Sequence, residues 1–160
     1  MNAIFSKSSG RAIGLGAVAG MRAMSAPALL SHFISKSNQP LSEDAMVDFL
    51  QTSNLSTILK GLALAEIIAD KLPKAPDRIS LPSLLVRTMS GAVVGATLSE
   101  PGGERKIVGA FLGGIGAIAA SFTFFYLRKK VVHTTGLPDA TIAIAEDVLA
   151  IWAGAALLKT

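Results

Sequence analysis

The chain has 160 residues, 51% of them hydrophobic and 16% charged, with a mean hydropathy of +0.53. A soluble domain of this size needs more polar surface than that composition supplies. With no cysteine there is neither a disulfide framework nor a thiolate metal site, and a net charge of +4 carried mainly between apolar segments fits membrane flanks rather than a nucleic-acid face.

Residues 1–11 are polar and basic. Lys7 and Arg11, the apolar run that follows and Ala26-Pro27-Ala28 resemble the three regions of a signal peptide. The apolar pattern continues through Leu30 and Phe33, past that cleavage point, so residues 12–35 read as a first membrane span. This span carries Arg22 near its middle, and Pro27 follows about one turn later. Pro27 cannot donate to the Ala23 carbonyl, which predicts a kink around Met24, Ser25 and Ala26 and a freed carbonyl in need of a hydroxyl, a water or a cation.

Residues 36–54 form a polar connection. Ser42 is placed to cap a helix with Glu43 and Asp44 in its first turn, and Met46, Phe49 and Leu50 have helical spacing. The pattern fits a short interfacial helix, or equally a loop helix packed on the bundle. Span two, residues 55–72, is near the lower length limit and contains Lys60, Glu66, Asp70 and Lys71. The lysines can snorkel toward the surfaces, whereas Glu66 cannot easily do so. Pro73, Pro76 and Pro82 stiffen the turn into span three, residues 81–99, which has Arg87 near its start. Span four, residues 107–127, is expected to end at Arg128-Lys129-Lys130. Span five, residues 139–158, starts after Pro138 with Asp139 in its first turn.

This arrangement is an all-α, polytopic membrane bundle of five transmembrane helices forming a single domain over residues 1–160. Its termini lie on opposite sides. The loops on the N-terminal side carry Lys7, Arg11, Lys71, Lys74, Arg78, Arg128, Lys129 and Lys130, against Lys36, Arg105, Lys106 and Lys159 on the other, which places the N-terminus in the cytoplasm.

Glycines recur at four-residue spacing: Gly16 with Gly20, Gly91 with Gly95, Gly109 with Gly113. In lipid, helices associate through close backbone contact at small residues, so these stripes read as packing seams, one of them available for a homodimer or higher oligomer. Gly16–Gly20 parallels Gly109–Gly113, and Leu62–Glu66 parallels Ile142–Glu146. That pairing suggests an inverted repeat of spans one and two in spans four and five; chance similarity of Ala/Gly-rich helices is the bland alternative.

An arginine at the centre of a membrane helix costs roughly 2.5–3.5 kcal/mol on insertion scales, so Arg22 needs a carboxylate. Glu66 and Asp70 share a helix face, Glu146 lies on an alanine stripe, and Asp147 points about 100° away from it. The functional reading is a midplane site for a small ion or polar solute. It is built from Arg22, Ser25, Pro27, Glu66, Asp70, Glu146 and Asp147, with proton coupling open to buried carboxylates in general. The bland reading is a buried salt bridge that fixes helix assembly. His32, His133, Tyr126 and Trp152 fall near span ends, where packing or interfacial anchoring accounts for them. No histidine pair, cysteine set or serine–histidine–acid pattern points to an enzyme, so no catalytic residue, metal or cofactor is expected.

Gly20 to Ala28 (GMRAMSAPA) and Ala65 to Arg78 (AEIIADKLPKAPDR), together with Ser90-Gly91-Ala92 and Glu146-Asp147, resemble a family of small bacterial integral membrane proteins catalogued as domain of unknown function 4126. The resemblance implies a multi-pass protein of the bacterial inner (cytoplasmic) membrane and carries no activity. The functional expectation is therefore a small transporter or channel with a charged midplane site, and the alternative is a non-transporting scaffold or assembly partner.

Overall fold

The computed structural model describes residues 7–36, 48, 50, 52–69, 79–99 and 103–159. Among them are six long helices and no strand: α1 Lys7–Met21, α2 Ser25–Lys36, α3 Ser53–Ala69, α4 Leu81–Thr97, α5 Gly103–Thr135 and α6 Asp139–Lys159. Two stretches, Arg105–Thr135 and Asp139–Lys159, are long and apolar enough to cross a membrane.

The first span is not one kinked helix. The last α1 hydrogen bond runs from Arg22 N–H to Val18 O (2.8 Å), and the α2 ladder opens with Ala28 N–H to Met24 O (3.1 Å). Between them the chain turns, with Ser25 N–H donating to Arg22 O (3.2 Å). Pro27 lies in the first turn of α2, where its missing N–H is harmless. In a continuous helix its ring would clash with the Ala23 carbonyl, so the break falls earlier than the sequence predicts, and it is larger.

The turn folds α2 back along α1. A Cβ built on Gly154 of α6 would meet Leu29 Cδ1 at 2.5 Å, Val18 Cγ1 at 3.5 Å and Leu15 Cδ2 at 3.8 Å. In a continuous helix, residues 18 and 29 would lie about 16 Å apart along the axis, out of reach of one glycine. The α1–α2 unit is thus a helical hairpin with its tip at Arg22–Met24.

Helices α1, α4 and α5 form the tight centre. A Cβ on Gly16 would strike the Gly113 carbonyl, one on Gly20 the Ala117 carbonyl, one on Gly91 the Gly113 carbonyl at 2.5 Å, and one on Gly95 the Gly109 carbonyl. The predicted glycine stripes therefore meet inside one chain. Gly113→Ala would force a methyl onto the Gly91 backbone and to 3.1 Å from Gly95 Cα, neither of which can rotate away. The expected loss is about 3 kcal/mol, the upper end for overpacking. Gly61→Ala meets nothing within 4 Å and should hold or raise stability. Thermal unfolding of the two variants in detergent checks both.

The same contacts set directions. Gly16 at Gly113 and Gly20 at Ala117 make α1 and α5 parallel, whereas Gly91 at Gly113 and Gly95 at Gly109 make α4 and α5 antiparallel. An inverted repeat requires α1 and α5 to be antiparallel, so the similarity of Gly16–Gly20 to Gly109–Gly113 is compositional. Arg11 Nε donates to Leu157 O (3.0 Å) and Arg22 pairs with Asp147, so α6 is antiparallel to α1. The start of α1 and the end of α6 therefore lie together, not at opposite ends of the bundle.

Helix α5 runs straight through Arg128-Lys129-Lys130 to Thr135. Solvated lysines do not end a helix. The stop comes at Gly136, in the left-handed region at φ 65°, with Pro138 beyond it. Of the predicted 42–50 helix, Ser42, Glu43, Asp44, Met46 and Phe49 lie outside the described residues; Leu50 is buried, and its carbonyl accepts from Ser31 Oγ (2.6 Å).

The distribution of side chains differs from that of a soluble protein. Beside an apolar cluster of Leu15, Val18, Met21, Leu30 and Val94, buried positions hold alanine, glycine, serine and the charged residues Arg22, Arg87, Glu146 and Asp147. The outer faces carry Leu81, Met89, Ile107, Phe111 and Trp152, each about two-thirds or more exposed.

Candidate functional site

Helices α3, α4, α5 and α6 each send polar side chains to the hairpin tip. From α3, Glu66 accepts Ala23 N–H on Oε1 and Met24 N–H on Oε2, both at 2.8 Å. These amides open α2, where a helix N-terminus leaves donors unpaired and favours negative charge. From α4, Arg87 Nη1 donates to the carbonyls of Gly20 (2.9 Å) and Met21 (2.8 Å), which close α1 and favour a cation. Arg87 Nε reaches Ser83 Oγ (3.1 Å), and Nη2 lies 3.7 Å from Glu66 Oε1.

From α5, the single Ser121 hydroxyl proton is shared between Gly20 O (3.1 Å) and Ala117 O (2.8 Å). Ser90 on α4 supplies the hydroxyl that the Ala23 carbonyl requires once Pro27 cannot donate to it. From α6, Asp147 receives Arg22, through Nε at 2.5 Å and a second, shorter contact from Nη2. Arg22 is 1% exposed, so this ion pair stands out of water.

The predicted site residues therefore separate. Arg22 pairs with Asp147, not with Glu66 or Glu146, because the fold-back brings the tip level with residue 147. Glu146 is buried and lies 3.8 Å from Nη1 of Arg128, whose Nε and Nη2 bind Asp139. Ser25 is buried beside the turn, and Pro27 shapes it without touching a ligand position. Asp70 lies outside the described residues.

Arg87, Ser90 and Ser121 are absent from the sequence-derived set. A signal for the first two exists: Ser83, Arg87 and Ser90 are spaced by four and three along an otherwise apolar α4, a polar stripe on one face. Nothing marks Ser121 within its apolar run.

Arg87 facing one set of helix ends and Glu66 facing the other act as opposite charges lodged in a broken helix. Their places are those an anion and a cation would occupy in an unplugged break. The sequence profile described as Domain of unknown function (DUF4126) matches residues 10–159. The chain belongs to this family. The match takes in the hairpin, its tip and all the helices that cap it, so the site is part of the family's domain rather than an addition to it. No curated protein and no solved structure matches the chain.

Proposed function

We propose that the chain is a multi-pass protein of the bacterial cytoplasmic membrane in which α3, α4, α5 and α6 each cross the bilayer and α1–α2 enters and leaves on one side. The large apolar residues on the outer faces and the small and charged residues among those buried support this. Helix α1 is 15 residues, about 22 Å, so its tip would stop inside a hydrocarbon layer of about 30 Å. Helices α3 and α4, at 17 residues each, are short for a span, and α5, at 33 residues and about 50 Å, would project beyond the far surface.

In this arrangement Lys7, Arg11, Lys36, Arg105, Lys106 and Lys159 fall at one end of the bundle. Arg128, Lys129 and Lys130 fall at the other, and Lys71, Lys74 and Arg78 belong to the sequence that joins α3 to α4. Counted with the second set, these three make the two sets equal, so basic residues set no orientation.

Within that membrane frame, the hairpin tip is proposed to pass a small charged solute, with Glu66 as the movable plug. The observation that carries this is the carboxylate lodged on two free amides of a helix broken at membrane depth, supplied by α3, which packs chiefly on α2. Moving α3 would expose both helix ends to a solute. Glu66→Gln keeps the shape and removes the charge. Proteoliposome flux across a panel of inorganic ions and small carboxylates should change about tenfold in the variant, the equivalent of one charge-assisted hydrogen bond. Flux absent from wild type and variant alike would defeat passage.

The second reading is a non-transporting scaffold. It is favoured by the Arg22–Asp147 pair, a buried ion pair of the kind that fixes how helices assemble. Because the glycine seams are used within the chain, a homodimer in this reading would need another face.

A further inference from the structure

We propose that the groove between α2, α3 and α6 is a binding site for an anionic phospholipid, one acyl chain lying in the groove and the phosphate resting on Lys60 and His32. This rests on the membrane reading above and is independent of whether a solute passes.

The groove has a volume of about 230 Å³ and is floored by Ala28, Leu29, Ala63, Leu64, Ile67 and Ile151. Ser25, beside the hairpin tip, marks its inner end. His32 and Lys60 mark its outer end, two turns of α2, or about 10 Å, away. Lys36 lies one turn further out, and both it and Lys60 act electrostatically on His32.

The result is an apolar slot leading to a cluster of cationic and ionisable groups near the end of α2. Lys60 is exposed on a helix whose neighbouring outward residues, Ile58, Leu62 and Leu64, are all apolar. Among the described residues it forms no ion pair. A cation on such a face finds its counter-charge in the lipid, whose phosphate a lysine reaches by extending its side chain toward the surface. A neutral chain or an apolar partner helix would fill the slot and leave Lys60 uncompensated.

The position also has a consequence for the site. A chain in the groove would touch α2, α3 and α6 together, and α3 carries Glu66 to the tip. Bound lipid would hold the plug in place.

Native mass spectrometry of detergent-purified protein, offered phosphatidylglycerol and phosphatidylcholine of identical chains, tests this. Wild type should retain phosphatidylglycerol about fivefold better, the contribution of one lysine near an anionic headgroup. Lys60→Gln should abolish the preference while keeping the phosphatidylcholine adduct, and Ala63→Phe, which fills the slot, should remove both adducts. An unchanged preference in Lys60→Gln, or unchanged adducts in Ala63→Phe, would overturn the proposal. A dimer mass lost only in Ala63→Phe would also overturn it, naming a second copy as the occupant. Resistance of each variant to alkaline extraction from membranes is measured alongside. Protein that washes off refutes the membrane reading itself, whereas protein that stays but shows no lipid preference refutes this inference alone.

Discussion

Replacing Asp147 with Ala is expected to destabilise the protein by about 3–5 kcal/mol, because it removes one member of a buried ion pair, the carboxylate that receives Nε and Nη2 of Arg22. Arg22 is 1% exposed and held in the turn between two helices, so its side chain has no short path to water. The cost arises from removing a counter-charge from a buried cation rather than from the net worth of the pair, and that distinction is measurable. Removing both charges together, as Arg22→Met with Asp147→Leu, should restore most of the lost stability, since apolar replacement of a buried ion pair is often neutral or stabilising. Thermal unfolding in detergent, read as the fraction remaining monodisperse, follows all three proteins. A double variant no more stable than Asp147→Ala would show that the pair contributes more than mutual neutralisation.

Arg87→Leu should be nearly as costly, by a different route. Arg87 Nη1 donates to two α1 carbonyls, that of Gly20 being shared with Ser121 Oγ, and the same guanidinium lies beside Glu66. Its loss uncaps the end of α1 and leaves Glu66 with only the two α2 amides. Each buried group left unpaired costs about 1–3 kcal/mol, so about 3–5 kcal/mol is expected. Arg87→Lys should recover only part of this. An ammonium keeps the charge but lacks the planar fork that reaches Ser83, the carbonyls and Glu66 at once. Full recovery by lysine would mean that charge alone caps the helix. Unfolding midpoints of the two variants against wild type separate these outcomes.

The requirement for an anion beside Arg22 is legible in the sequence, because a guanidinium in a long apolar run has few alternatives. The identity of that anion is not. Glu146 and Asp147 are adjacent and about 100° apart on α6, and choosing between them requires knowing where the tip stands. That depends on the fold-back, which local sequence does not encode. Pro27 identifies the carbonyl that is freed, but the extent of the turn is set by groups far along the chain: Glu66, Arg87, Ser90 and Ser121.

The same holds for direction. Five apolar segments imply alternating spans only if each crosses, and a hairpin that returns changes the direction of every later comparison. The glycine stripes are legible because a spacing of four lays them on one face. Their partners are not, since any small-residue face fits another. The end of α5 is misread from Arg128-Lys129-Lys130 because charge marks where a helix leaves lipid, whereas Gly136 and Pro138 mark where the backbone stops being helical.

For function, the arrangement means that every cap on the tip is borrowed from another helix. Displacing α3 would expose the amides of Ala23 and Met24, and displacing α4 would expose the carbonyls of Met21 and Ala23. This couples the packing of the bundle to the state of the site, in transport or in assembly alike.

The fold-back at Arg22–Met24 is the claim on which the rest depends, and the chain has no cysteine of its own to interfere with labelling. Single cysteines at Ser9, Ser35, Thr135 and Lys159 should be probed with a membrane-impermeant thiol reagent applied to intact and to opened cells. A returning hairpin predicts that positions 9, 35 and 159 label from the same side and 135 from the other. Labelling that places 9 with 135, and 35 with 159 on the opposite side, would show α1 and α2 crossing as one span and would contradict the account.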